Sequence, residues 1–143
     1  MISVDVDVSA LVDLKKRVPT LAQTDSLLRE IASSMLSVTR TRIHEQGINS
    51  AGSQIGTYSS SYLELRRENG LSNTNVNLFF TGQMQNDYKV IEISKTEYGL
   101  GYSNKLDADK AKWNTERYGR IFALTDDELD QVRDIIREYL NKL

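Results

Sequence analysis

Two amphipathic helical patterns, one in each half of the chain, constrain its fold more than any other feature of the sequence. In both, side chains of one face recur every three or four residues, as a helix requires. The first pattern comprises Leu28, Ile31, Met35 and Val38 and continues to Arg42. The second comprises Leu129, Val132, Ile136, Tyr139 and Leu143. They predict a long helix over about 25–44 and a C-terminal helix.

A capping box marks the start of the C-terminal helix. Thr125 stands at the N-cap position and Glu128 follows three residues later, so that each side chain can bond the backbone amide of the other. Asp126 and Asp127 add negative charge to a first turn whose free amide groups favour it. This spacing predicts a helix that begins directly after Thr125.

Alternation of apolar and polar residues predicts three strands. The first covers residues 2–8 and is followed by a short helix that ends near Val18, before Pro19. The other two, 88–93 and 97–102, form an antiparallel pair joined by 94–96. Strands and helices do not alternate regularly, so the sequence predicts the α+β class. We expect an antiparallel sheet with the long helix of the N-terminal half and the C-terminal helix packed on it.

The remaining segments carry weaker patterns. A short helix is predicted over 61–69 with its stop at Gly70, and a turn is predicted at Gly82. Residues 105–118 predict an irregular connection that holds a helical turn, and 121–124 predict a last buried strand or extended segment. The polar stretches 45–61 and 70–76 predict mobile loops that do not fill a core.

Composition bounds the function classes. A chain of 143 residues buries one substantial core, so 1–143 is expected to be a single domain. Eighteen basic against 20 acidic side chains give no overall attraction to nucleic acid or an anionic membrane. With no Cys and one His, disulfides and thiolate zinc sites are excluded. No apolar run approaches the about 20 residues of a membrane helix, and the N-terminus lacks a signal-peptide pattern. We expect a protein used inside a cell, or carried out of one by other means.

Acidic side chains and the single histidine are the candidates for catalysis. A small metal-dependent hydrolase would use Asp107, Asp109, Glu116 and His44. The first two lack the Gly and distal Glu of a calcium loop. His44 shares the last turns of the predicted long helix with Arg42, where positive charge is favoured. We therefore expect a solvated His44, and neither a metal nor a cofactor.

Basic residues near tyrosines are the candidates for binding nucleic acid. The four arginines of this group are Arg66, Arg67, Arg117 and Arg120. Tyr62 and Tyr118 are interleaved with them, a composition typical of nucleic-acid patches. Because the chain is net acidic, ion pairs or a protein interface are the favoured interpretation, and a nucleic-acid-binding module stays an alternative.

Several motifs, taken in order, resemble one family. The segment 78–84, Leu-Phe-Phe-Thr-Gly-Gln-Met, is similar to the signature L-x-x-T-G-x-L, with Met in place of the last Leu. Before it stand a Gly-rich loop and a tyrosine-x-x-x-basic segment, and after it come paired strands and an Arg-x-Phe that leads into the capping box. This order, over about 25–143, resembles the virion-morphogenesis and tail-completion proteins of tailed bacteriophages. Tyr58 stands where that family usually has Trp or Phe.

The resemblance implies a structural virion protein rather than an enzyme. It implies a ring of identical copies at the neck, in contact with connector proteins and with the tail tube or tail terminator. The expected location is the virion and, during assembly, the host cytoplasm, with no membrane and no specific nucleic acid as partner. Thr81 and Gly82 are expected to shape a turn beside the core, which Phe122 fills. The family-motif positions are Tyr58, Tyr62, Leu78, Thr81, Gly82, Met84, Arg120, Phe122, Thr125 and Glu128.

Overall fold

A computed structural model describes residues 21–142 of the chain. Its helices are α1 (Leu21–Arg40), α2 (Ser60–Glu68), α3 (Gln83–Asp87), α4 (Lys105–Tyr118) and α5 (Asp126–Asn141). A π-helical turn, Thr41–Glu45, continues α1, and the strands are β1 (Tyr88–Ser94) and β2 (Glu97–Tyr102). The strand predicted over 2–8, the helix predicted to end near Val18, and Leu143 lie outside the described residues.

The α+β class is confirmed. β1 and β2 form an antiparallel hairpin in which Tyr88 lies opposite Tyr102 and Ile91 lies opposite Gly99. α1 packs against both strands and against α5, so the long helix joins the hairpin to the C-terminal helix. Within residues 21–142, no helix is both long and apolar enough to span a membrane.

One apolar core joins α1, the hairpin and α5. α1 and α5 bury the faces that their periodicity predicted, with Leu28, Ile31 and Met35 from the first helix and Val132 and Ile136 from the second. An aromatic cluster extends the core beside the hairpin. Its three rings lie 5.1 to 6.4 Å apart between centroids and belong to Tyr88, Tyr102 and Phe122. The predicted burial of Phe122 is confirmed.

Two predictions for the second half of the chain need correction. Residues 105–118 form a continuous helix, capped by the Asn104 side chain, which accepts from the Leu106 amide at 2.9 Å. Its buried face holds only Asp107 and Ala111, too little apolar surface to produce a recognisable helical pattern. Residues 121–124 form no strand, so the first of the two alternatives predicted for this segment is wrong, whereas Ile121 is buried as expected. The short helix α3 was not predicted at all.

The predicted loops contribute to the core, contrary to expectation. Ile55 and Val76, one from each polar stretch, are buried. The two stretches also pair with each other, since the Val76 amide donates to the Gly56 carbonyl at 2.8 Å. Gly47 adopts a φ of +67°, and a Cβ there would lie 2.4 Å from the Val76 carbonyl oxygen. Isolated apolar residues, too sparse to form a pattern, thus join these polar segments to the core.

The most connected polar side chain of the fold is Arg42, which is buried. Its Nε donates to both carboxylate oxygens of Glu128, at 2.9 and 3.1 Å. Its Nη1 donates to the Ile48 and Ile121 carbonyls, and its Nη2 to the Ala123 carbonyl, at 2.9 to 3.1 Å. Arg42 is thus buried at the end of the helical face that its spacing shares with Ile31 and Met35. Its guanidinium joins α1 to the 121–123 segment and to the capping box of α5.

Removing the carboxylate of Glu128 should strongly destabilise the protein. Glu128→Ala leaves Arg42 buried without a counter-charge, which costs about 3–5 kcal/mol. Urea unfolding of the variant should show this loss. Asp127→Ala is the matched control, because Asp127 is an exposed carboxylate in the same helical turn, and its loss should cost about 0.3–1 kcal/mol. Equal losses in the two variants would contradict the role assigned to the buried pair.

Candidate functional site

A cleft of about 460 Å³ lies between α2, the segment 78–84 and α4. Six of the ten family-motif positions line it, and so do two of the four candidate arginines. The motif positions are Tyr58, Tyr62, Leu78, Thr81, Gly82 and Met84, and the arginines are Arg66 and Arg117. The fold thus brings together residues that the sequence suggested for two different reasons.

Arg66 lies beneath the cleft and has no solvent exposure. It follows Tyr62 by one turn of α2, a helix whose N-cap is the Ser59 side chain. Its Nη1 donates to the Phe79 carbonyl at 2.6 Å, and its Nη2 donates to Asn73 Oδ1 at 2.9 Å. The guanidinium carbon also lies 4.3 Å from the centroid of the Tyr58 ring, a cation–π distance.

The positive charge of Arg66 is not balanced by any ion pair within residues 21–142. Its two hydrogen-bond acceptors, a backbone carbonyl and an amide side chain, are neutral, and its buried Nε has no hydrogen-bond partner there. The guanidinium group of arginine stays positively charged in proteins. Arg66 therefore contributes an uncompensated positive charge to the cleft.

The hydroxyl of Tyr58 organises the backbone beside the cleft. It accepts from the amides of Asn77 and Leu78, both at 3.2 Å, and donates to Asn77 Oδ1 at 3.3 Å. Burial raises the pKa of Tyr58, so the hydroxyl keeps the proton that it donates. Leu78 has a φ of +54°, which an L-residue adopts at a cost. The three hydrogen bonds of Tyr58 hold this backbone in place.

Gly82 makes the turn that was predicted beside the core. Its φ of +85° lies in the left-handed region, and a Cβ there would lie 3.1 Å from the Phe79 ring. Thr81 Oγ1 accepts from the Gln83 amide at 3.3 Å at the start of α3. Met84, two residues after the turn, is buried in the core. The Thr-Gly pair therefore forms the turn that leads directly into α3.

The other wall of the cleft is one face of α4. Lys110, Asn114 and Arg117 are four and three residues apart, the spacing of one helical face, and all three line the cleft. Lys110 Nζ lies 3.7 Å from a carboxylate oxygen of Asp107, a fully buried residue whose oxygens accept no hydrogen bond in the described chain. No Asp or Glu is among the described residues that line the cleft. The lining is therefore net positive.

The remaining motif positions do not line the cleft. Arg120 is exposed, and its carbonyl accepts from the Ser50 amide at 3.1 Å. Both halves of the predicted capping box between Thr125 and Glu128 are present. Glu128 also binds Arg42, a partner that no local spacing could reveal, because the two residues are 86 positions apart.

The structure divides the arginines proposed for a nucleic-acid patch. Arg67 and Arg120 are exposed and lie outside the cleft lining. Arg66 is buried and Arg117 is exposed within the cleft. The four side chains therefore do not form the single surface patch that the sequence suggested.

The residues proposed for a metal-dependent hydrolase do not form a metal site. Within residues 21–142, no group of three or more His, Cys, Asp or Glu side chains could hold a metal ion. Asp107 is buried beneath Lys110, whereas Asp109 forms an ion pair with Lys105 at 3.7 Å and Glu116 is exposed. No described cluster corresponds to this alternative.

The expectation of a solvated His44 is wrong. The side chain is buried beside the aromatic cluster, with Nε2 3.2 Å from the Tyr102 hydroxyl oxygen. Burial lowers the pKa of His44 to about 4. The nearby backbone of Asn77 and Leu78 opposes this shift in part, and the positive charge of Arg40 adds to it. The imidazole is therefore neutral near pH 7 and does not complement the helix dipole.

NMR can check the burial of His44 directly, since the chain has a single His. The imidazole should titrate in the folded protein with a pKa of about 4 instead of the ordinary 6.5. As the pH falls from 6.5 to 4, the unfolded chain binds a proton that the folded chain excludes, so stability falls, by up to about 3 kcal/mol. His44→Gln should remove this part of the pH dependence. A measured pKa near 6.5 would contradict the buried placement.

Gly82 and Gly52 form a matched pair for testing the turn. Their φ angles are +85° and +83°, but a Cβ at Gly52 would meet nothing within 4 Å. Substitution by Ala should cost about 1–2 kcal/mol at Gly52 from the left-handed backbone alone. Gly82→Ala should cost more, because the new methyl group crowds the Phe79 ring. Thermal unfolding measures both, and an equal loss would show that Phe79 does not restrict position 82.

Comparison with known proteins identifies no homologue of this chain. No family model, curated protein or solved structure matches the chain. The function is therefore inferred from the motif order, the surface and the cleft of the chain itself.

Proposed function

We propose that this chain is a structural virion protein of a tailed phage, a tail-completion or head-to-tail joining component that assembles as a ring at the neck. The ordered motifs of the sequence suggest the family. The observation that carries the assembly role is an apolar face of α4 that no described part of the chain covers.

That face holds two apolar side chains, Leu106 and Trp113, whose exposed fractions are 50% and 55%, with Lys110 and Arg117 on the same side of the helix. Leu106 and Trp113 are seven residues apart, so they lie on the same side of α4, two turns from each other. α4 is held to the fold by other residues, the buried Asp107 and Ala111. Trp is enriched at protein interfaces, where its burial contributes strongly to binding. An apolar pair on a helix that is anchored elsewhere supports packing against another protein chain.

A ring requires two different surfaces, because each copy meets its neighbours through a head-to-tail contact. Exposed apolar side chains on other elements could contribute to the second surface. Among them are Leu65 on α2 and Ile93 on β1. In this proposal the apolar face of α4 meets a different surface of the next copy. Connector proteins and the tail tube or tail terminator then bind the assembled ring in the virion, after assembly in the host cytoplasm.

Replacing Trp113 should impair head-to-tail joining without unfolding the chain. Particles from a phage that lacks the gene are mixed with purified protein, and joined particles are counted by electron microscopy and by infectivity. The unaltered protein should restore joining. Trp113→Gln should lower the yield about tenfold or more, because the loss of a buried interface Trp costs about 2 kcal/mol or more. Its unfolding midpoint should change little, since Trp113 is 55% exposed and does not belong to the buried face of α4.

Lys112→Gln is the matched control, because it places the same side chain at the neighbouring, exposed position of α4. This variant should join particles as well as the unaltered protein does. Normal head-to-tail joining in particles that lack the gene would contradict the proposed function. Full activity of Trp113→Gln would contradict the use of the α4 face.

A further inference from the structure

We propose that the cleft between α2 and α4 binds an acidic, partly apolar segment of a partner polypeptide. Carboxylates of the segment meet Lys110 and Arg117, and an apolar side chain packs on the rings of Tyr62 and Phe80. The proposal rests on the proposed function in one respect, that the partner is another protein.

The charge of the cleft selects an anion. Three cations line it, Arg66, Lys110 and Arg117, and no described lining residue is acidic. Only Lys110 has a carboxylate neighbour, Asp107, which leaves the charges of Arg66 and Arg117 without acidic partners in the described chain. This local excess of positive charge occurs in a chain whose formal net charge is -2. A concave site with one sign of charge concentrates its field on a ligand of the opposite sign.

The three cations act in different ways. Arg66 is sealed under the tyrosines and has no exposed surface, so it attracts an anion through its field. Arg117 is exposed and Lys110 is half-buried, so these two can donate hydrogen bonds to a carboxylate. Asn114 lies between them on the same face of α4. Its Nδ2 donates to the Lys110 carbonyl at 2.7 Å, and its amide oxygen can accept from the backbone of a bound segment.

The opposite side of the cleft is aromatic. Tyr62 and Phe80 are stacked, with their ring centroids 6.2 Å apart, and the Tyr58 ring meets Tyr62 edge-on at 5.1 Å. Phe80 is 37% exposed although it lies beside the apolar side chains of Leu78 and Met84. A ligand that carried only charge would leave this aromatic surface in water. The site suits a segment with both acidic and apolar side chains.

A protein segment fits the cleft better than a nucleic-acid strand. A strand requires a basic groove that continues along several phosphates. Here the other candidate arginines, Arg67 and Arg120, lie outside the lining, and the charge of Lys110 is partly balanced by Asp107. Arg66 has no exposed atom with which to contact a phosphate. The positive charge is therefore confined to one pocket, as recognition of one or two carboxylates requires.

The experiment is an NMR titration of the isotope-labelled full chain with short peptides. The probe is N-acetyl-Glu-Phe-Glu-amide, its Gln-Phe-Gln counterpart tests the need for charge, and an eight-residue oligothymidylate tests nucleic acid. The acidic peptide should shift the amide signals of residues 79–84 and 110–118. Its binding should weaken with added salt and exceed that of the Gln peptide.

Variants assign the binding to the cleft. Arg117→Glu should weaken the acidic peptide about tenfold or more, a change of about 1.4 kcal/mol. Arg67→Glu makes the same charge change on exposed surface outside the lining and should leave the affinity unchanged. Arg117→Gln is a milder second variant that removes the charge without reversing it, and it should also weaken binding.

Four results would overturn the proposal: no binding of the acidic peptide, equal binding of the Gln peptide, equal effects of the two charge reversals, or tighter binding of the oligothymidylate at the same residues. These results are independent of head-to-tail joining. If peptide binding fails while joining requires the protein, only the role of the cleft is wrong. If peptide binding succeeds while particles join without the protein, only the proposed function is wrong.

Discussion

The fold depends on one buried ion pair, that of Arg42 with Glu128. The guanidinium uses its donors on a carboxylate and on the carbonyls of Ile48, Ile121 and Ala123. Glu128 also accepts from the Thr125 amide at 3.0 Å. The same carboxylate therefore caps α5 and neutralises the charge of Arg42. Because each charge is buried, neither can lose its partner without leaving an uncompensated ion. The pair thereby fixes the position of the 121–123 segment relative to α1 and α5, and with it the placement of Phe122 in the aromatic cluster.

The sequence predicted those elements that are determined by interactions between residues close to one another in the chain. α1, α5 and the hairpin follow from repeated apolar spacing, and the capping box follows from Thr125 and Glu128 alone. α4 was not predicted, because its buried face consists of Ala111 and a carboxylate, so the apolar repeat is missing. The burial of His44 and the partners of Arg42 were missed for a different reason. His44 contacts Tyr102 and Arg42 binds Glu128, both more than fifty positions away, and spacing within one helix carries no information about such distant partners.

The candidate site was partly visible in the sequence. The sequence indicates the tyrosines and the Thr-Gly turn as parts of a structural motif. It indicates the arginines separately, as a candidate nucleic-acid patch. The structure shows that Tyr58, Tyr62 and Arg66 belong to one cleft, in which the hydroxyl of Tyr58 supports the backbone of Leu78. Trp113 lies three residues after Lys110 and four before Arg117, so α4 presents this tryptophan and the cations of the cleft on the same side. In our proposal both serve assembly, the cations by binding an acidic segment and Trp113 by burial against a neighbouring copy.

A cryo-electron microscopy reconstruction of the neck of the tailed phage that we propose as the source of this chain would show directly whether the chain joins head to tail. We expect a ring of copies of this fold at the head-to-tail junction, with Trp113 buried between protomers. A neck fully explained by other proteins, in virions that lack this chain, would contradict this expectation.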